Sequence, residues 1–241
     1  MSKRSGCKFL LGAAALGLSV LASSARAGFT SIGAPNFGRG GEASQADILS
    51  NSYGGTFTSN GLNLTNGSIT ATRIDDTKDQ VFHGDITSAR ALATFALYSQ
   101  GFAYGSRTSP TQLFTVGGDN FTVTGSTGAV DLPSSYSFVR TGGATGIKGT
   151  NQSSKNSDNV DGKDHLVTYR LSGNGVSANT YVLFWEDLNK KSDFDFNDLA
   201  VEVKSTSPII VPLPAAAWSG LATLAGAALV AGYRKARRTM A

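Results

Sequence analysis

Nine of the seventeen acidic residues in this 241-residue chain fall between Asp158 and Glu202. They are densest in the stretch Trp185-Glu186-Asp187-Leu188-Asn189-Lys190-Lys191-Ser192-Asp193-Phe194-Asp195-Phe196-Asn197-Asp198-Leu199. Asp193, Asp195 and Asn197 share one parity, which in an extended chain points their oxygens to one side and Phe194 and Phe196 to the other. The apolar parity then shifts to Leu199, Val201 and Val203, so a turn or bulge is expected at Asn197-Asp198. Carboxylates drawn together at such a bend repel unless a cation or a basic partner lies between them, and hard oxygen ligands on a flexible loop suit calcium better than magnesium. The candidate ligands are Asp187, Asp193, Asp195, Asn197 and Asp198. Asp-x-Asp-x-Asn also opens an EF-hand loop, but Asp198 stands where that loop needs glycine and Lys204 where it needs its closing Glu. A second reading stays open beside calcium, in which these residues are Asx-turn formers neutralised by Lys190 and Lys191.

Other chemistry has fewer residues to draw on. His83 and His165 are the two histidines, and neither falls in a recognisable triad. The chain carries no nucleophile elbow, zinc motif or glycine-rich phosphate loop. Glu186, Asp187 and Asp195 offer the paired carboxylates of a glycosidase, a role the cluster fits no better than cation binding. Trp185 can stack on a sugar, but its apolar neighbours favour a place in the core.

The elements that must position these groups read as all-β. Short apolar or alternating segments are separated by turn signals, and the expected fold is an antiparallel, jelly-roll-like β-sandwich. Strands are predicted at Gly55–Thr58, Leu62–Leu64, Ser68–Arg73, Gln80–Ile86, Thr94–Tyr98 and Gln112–Val116. Asn120–Thr124, Tyr136–Arg140, Asp164–Leu171, Thr180–Glu186 and Leu199–Lys204 complete the set. Turns are predicted at Ser59-Asn60-Gly61, Thr65-Asn66-Gly67 and Gly117-Gly118-Asp119. Tyr181 to Trp185 is apolar on both faces and should be central and buried. Only Ala89–Leu97 could pass for a helix, and Gly142–Gly162 reads as a long mobile polar loop.

The two ends differ from this domain. Residues 1–27 carry Lys3, Arg4 and Lys8, an apolar run, and a small-residue site ending at Ala27, the pattern of a secretory signal peptide. Its apolar run of about 14 residues is shorter than the roughly 20 needed to span a bilayer. Ile209 to Tyr233 is uncharged and is followed by Arg234, Lys235, Arg237 and Arg238. A transmembrane helix over about 215–233, with its basic end cytoplasmic, is the expected outcome. The exported domain is thus placed at 28–207 and the tail at 208–241. The formal net charge of +4 comes from the ends, because eight of the 21 basic residues and none of the 17 acidic ones lie there. The domain itself is acidic, and no basic patch points to nucleic acid. Cys7, in the signal segment, is the only cysteine, so the exported part has no disulfide and no thiol nucleophile.

Two stretches resemble known families. The run Asp164-His165-Leu166-Val167-Thr168-Tyr169, then Tyr181 to Leu188, then Asp193 to Leu199, resembles an uncharacterised domain recurrent in exported bacterial proteins. That domain is marked by Trp-Glu-Asp and Asp-x-Asp-aromatic-Asn-Asp motifs, and the resemblance implies no activity. Val211-Pro212-Leu213-Pro214-Ala215, followed by the hydrophobic span and basic cluster, resembles the VPLPA variant of the PEP-CTERM sorting signal; the usual Pro-Glu-Pro is absent. The resemblance implies handling by an exosortase, a transpeptidase-like membrane enzyme, and delivery from the inner membrane to the cell surface or exopolysaccharide matrix. The expected function is structural or adhesive rather than enzymatic, with a lectin-like carbohydrate-binding module as the alternative. Pro212 and Pro214 hold the chain extended where such an enzyme would act. Changing both to Ala should leave the tail uncut and the protein in the inner membrane, as read by fractionation and intact mass; normal processing of the double variant would remove the sorting assignment.

Overall fold

The computed structural model describes residues 28–35, 41–77, 79–142, 151–189 and 192–207. The expected signal peptide, the sorting motif Val211–Ala215 with its spanning helix and basic end, and Lys190 and Lys191 lie outside them. Among the described residues no helix is long and apolar enough to cross a membrane.

The described chain is mostly antiparallel β-structure in two sheets. It opens with the helix α1 (Gln45–Tyr53) and the short strands β1 (Thr58–Asn60) and β2 (Asn63–Thr65). Next come β3 (Ile69–Arg73), β4 (Ile86–Ala93), β5 (Gln100–Ser106), β6 (Ser109–Asp119), β7 (Thr122–Thr124) and β8 (Ser126–Thr127). β9 (Phe138–Gly142) and β10 (Gln152–Ser153) precede the three strands of the acidic region, β11 (Leu166–Gly173), β12 (Thr180–Trp185) and β13 (Leu199–Ser205). One sheet has the order β1-β2-β3-β11-β12-β13-β4-β8 and the other β10-β9-β5-β6-β7.

The two faces of the larger sheet explain the residue pattern of β12. Tyr181, Leu183 and Trp185 pack between the sheets against Phe102, Phe114 and Phe138. Val182 and Phe184 face the other way, under Ile48 and Leu49 of α1 and beside Phe57. All six residues of β12 are buried, as an apolar strand covered on both sides must be.

Several expectations change. The helix at Gln45–Tyr53 was not foreseen; Ser44 caps it in a capping box with Asp47, and its short apolar stripe is Ile48 and Leu49. Ala89 lies in a strand, while Gln80–Ile86 contributes a bridge at Phe82 and, at Ile86, the first residue of β4, and Thr94–Tyr98 contributes a bridge at Thr94. The turn expected at Gly117-Gly118-Asp119 falls one step later, where Asn120 takes φ of 48° and β6 runs on through Asp119. The expected polar loop Gly142–Gly162 is partly internal: Gln152, Ser153 and Ser154 are fully buried, and Asn159 ties the segment by hydrogen bonds to Ser153 and Lys163.

Leu183, in the centre of β12, is fully buried between the sheets. Leu183→Ala should lower unfolding free energy by about 3 kcal/mol, since a tightly packed site cannot collapse around the lost methyls. Urea unfolding tests this, and a loss under about 1 kcal/mol would mean the intersheet core is loosely packed.

Candidate acidic centre

β12 and β13 pair antiparallel, with Trp185 opposite Leu199, so the residues after the first and before the second meet at one end of the sheet. The connection between them, where described, contains no strand. Phe194 and Phe196 both take left-handed backbone angles, φ of 57° and 55°, and the simple alternation expected for this stretch does not form. Phe196 turns fully into the core beside α1, and Phe194 lies partly covered with Lys163 Nζ 5.0 Å from its ring centroid. Two bulky residues with positive φ carry strain of order 1–3 kcal/mol each, which the surroundings must hold in place. Part of that hold is the segment 28–35: Gly33 N donates to Phe194 O at 2.6 Å. A Cβ on Gly33 would collide with the Asp193 carbonyl oxygen, so only glycine permits this approach.

The structure divides the candidate ligands between two clusters. Asp187 and Asp198 join Glu186, and Asp193 and Asp195 join Glu42; within each cluster one oxygen per carboxylate lies within 4.8 Å of the others. Asn197 is spent locally, its amide donating to Asp195 Oδ2 at 2.7 Å and to the Ala43 carbonyl at 3.1 Å. Glu42 carried no sequence signal for this role, being about 150 residues away. Glu186 was visible in the Trp-Glu-Asp run, but strand parity gave no reason to group it with Asp198.

The Glu186 cluster is the more enclosed. Glu186 is 1% exposed and Asp187 6%. Asp187 N donates to Asp198 Oδ2 at 2.7 Å, and the Asp198 carbonyl accepts from Thr94 Oγ1 at 2.6 Å. From the smaller sheet, Gln100 Nε2 reaches Asp187 Oδ2 at 3.4 Å, and the fully buried Arg140 places Nη2 3.8 Å from the same oxygen. Arg140 Nε in turn donates to Gln100 Oε1 at 2.8 Å. Burial raises the pKa of all three carboxyls, most strongly that of Asp198, where the charges of Glu186 and Asp187 push it further. Burial also lowers the Arg140 pKa against the pull of these three acids.

The remaining acidic residues of the region act as ties. Asp161 accepts from His165 Nε2 at 3.1 Å, and Glu202 accepts from Arg90 Nε at 2.8 Å and Tyr53 Oη at 2.5 Å. Asp164 accepts from Thr30 Oγ1 at 2.6 Å, while Thr30 N donates to Asp76, the buried partner of Arg73. His83 Nδ1 lies 2.7 Å from the Ser134 carbonyl. A cavity of about 220 Å³ lies beside the Glu42 cluster, lined in part by Asp195, Gln45, Arg73 and Tyr169, with Ile32 and Leu62 exposed at its rim.

Residues 138–206 match a domain of unknown function, DUF4114. The matched segment contains β9 to β13, Arg140 and every acidic residue of the Glu186 cluster, and it spans the stretch over which the Trp-Glu-Asp resemblance runs. Neither the curated proteins nor the solved structures yield a match. The larger sheet also needs β1 to β4 and β8, and the smaller one β5 to β7, so the DUF4114 segment completes its two sheets with strands from outside the matched residues.

Asp164 supplies a pH test. Burial pushes its carboxyl up to about 7, against hydrogen bonds from Thr30 and Leu166, from an ordinary value of 3.8. Between those two values the folded chain holds a proton that the unfolded chain has released, so this site adds stability as pH falls through the window and opposes folding above it. Asp164→Asn removes the dependence. The variant's stability relative to the parent, measured by thermal melts in chelator, should rise from about pH 5 to about pH 7 and then level off. A difference that does not change with pH would show that Asp164 is ionised in the fold.

Proposed function

We propose that the chain is a non-catalytic surface or matrix protein, exported and sorted through its C-terminal tail, with a structural or adhesive role and a jelly-roll-like domain stabilised by calcium. The observation that carries this reading is the burial of the acidic groups within the framework. Glu186 and Asp187 are each less than a tenth exposed, so they stand where they can hold strands together rather than where they meet a substrate. Each imidazole is likewise a tie, His165 to Asp161 and His83 to the Ser134 carbonyl. The resemblance of the tail to the VPLPA sorting signal supports delivery by an exosortase to the surface or exopolysaccharide matrix.

The carbohydrate-binding alternative has its own observation, the cavity beside Asp195. Its volume suits a few waters or one sugar-sized group, below the usual range for ligand pockets. It lines up Asp195, Gln45 and Tyr169 as polar contacts under an apolar rim, and a lectin would bind matrix polysaccharide with the tail removed.

Calcium titration of thermal stability decides the main reading. A cation that binds only the folded chain stabilises it by about 2.7 kcal/mol at a hundredfold excess over Kd. The melting temperature should rise with calcium and rise much less with magnesium. If calcium leaves it unchanged, the fold has no calcium requirement and the stabilising role is wrong.

A further inference from the structure

The reading above leaves open which carboxylates hold the ion and what holding it would do; the inference below rests on that reading. We propose that one calcium ion binds among Glu186, Asp187 and Asp198, and that it joins the two sheets at the end of β12.

A group of acidic side chains alone would not carry this. The independent mark is Glu186 Oε2, which is buried and has no hydrogen-bond partner among the described residues. Its sister oxygen accepts from Leu188 N at 3.3 Å. A carboxylate oxygen left bare at 1% exposure is costly, and a bound cation would satisfy it. The charge balance points the same way. Among the described residues the Arg140 guanidinium faces the three carboxylates, at 3.8 Å from Asp187 Oδ2, and its one positive charge leaves two negative charges in this described group when all are ionised. A divalent ion neutralises that remainder.

The oxygens come from three side chains of unequal reach in an irregular loop, which favours calcium over magnesium, an ion that demands near-octahedral geometry and keeps much of its water. The Glu42 cluster lacks these marks. Asp193 is exposed, and Asp195 is satisfied by Asn197, which donates to both of its oxygens.

The position explains the effect. Glu186 and Asp187 follow directly on β12 and Asp198 directly precedes β13, both strands of the larger sheet. Asp187 is also the group that Gln100 of β5 and Arg140 of β9 reach from the smaller sheet. Gln152 of β10 adds bonds to the Asp187 carbonyl at 3.4 Å and to Asn189 Oδ1 at 2.5 Å. An ion that fixes Asp187 therefore fixes the join between the sheets.

The test uses the purified chain, stripped with chelator and titrated with calcium, magnesium and terbium(III), following melting temperature, terbium emission sensitised by Trp185, and amide hydrogen exchange. Terbium should give Trp-sensitised emission that calcium displaces and magnesium does not. Glu186→Gln and Asp198→Asn should each weaken calcium binding at least about tenfold, while in chelator their melting temperatures stay level with or above the parent's because repulsion is relieved. Asp193→Ala and Asp195→Ala should bind calcium as the parent does. Calcium should slow exchange in β5 as well as β12. If calcium stabilises the parent but Glu186→Gln and Asp198→Asn respond normally, or the Asp193 and Asp195 variants lose the response, the site is misplaced and the calcium reading survives. Protection confined to 186–198 would overturn the join, and a parent indifferent to calcium would remove both readings.

Discussion

A strand with no polar face must be covered on both sides, and β12 imposes that demand on the rest of the chain. Its inner residues need a second sheet, supplied by β5, β6 and β9 with their aromatic side chains. Its outer residues need a lid, supplied by α1, Phe57 and the turned-in Phe196. The layering follows from covering these six residues, because burial of large apolar side chains is the main favourable term available to a domain without disulfides.

The same burial makes the end of the strand electrostatically difficult. Where β12 stops, the chain has not yet reached solvent, and the next residues are Glu186 and Asp187. Charged groups in such a place need partners, and the fold supplies Arg140 and Gln100 from the opposite sheet while the backbone amide of Asp187 serves Asp198. Arg140 is itself fully buried, so the arrangement exchanges one desolvated charge for another, and removal of either partner would leave the other stranded. The acidic centre and the apolar core are thus two results of one sequence choice, an uninterrupted apolar run that ends on carboxylates.

Much of this was legible from residue patterns. Apolar runs marked β11, β12 and β13 because both their faces are buried, and the Asn and Gly turns at Gly61 and Gly67 followed from the need for positive φ. The acidic loop was found by density of charge, yet its division was not, since Phe194 and Phe196 adopt backbone angles that bulky residues normally avoid and so break strand parity. Glu42 and Arg140 were invisible as neighbours of that loop, because their approach depends on chain crossings and not on spacing. The helix α1 was missed for a simpler reason. Two buried apolar residues in nine make a weak periodic signal, and its stability comes from the cap and from the sheet it covers.

The order of strands bears on when this domain can form. β4 and β8 find their place in the larger sheet only through β13, the last strand described, and Gly33 near the start of the described chain closes on Phe194 near its end. A chain that emerges N-terminus first cannot complete the first closure until β13 is free, or the second until Phe194 is. Such long-range pairing makes folding slow. The smaller sheet has all its strands by residue 153, so the larger sheet is the layer that waits for the end of the described chain.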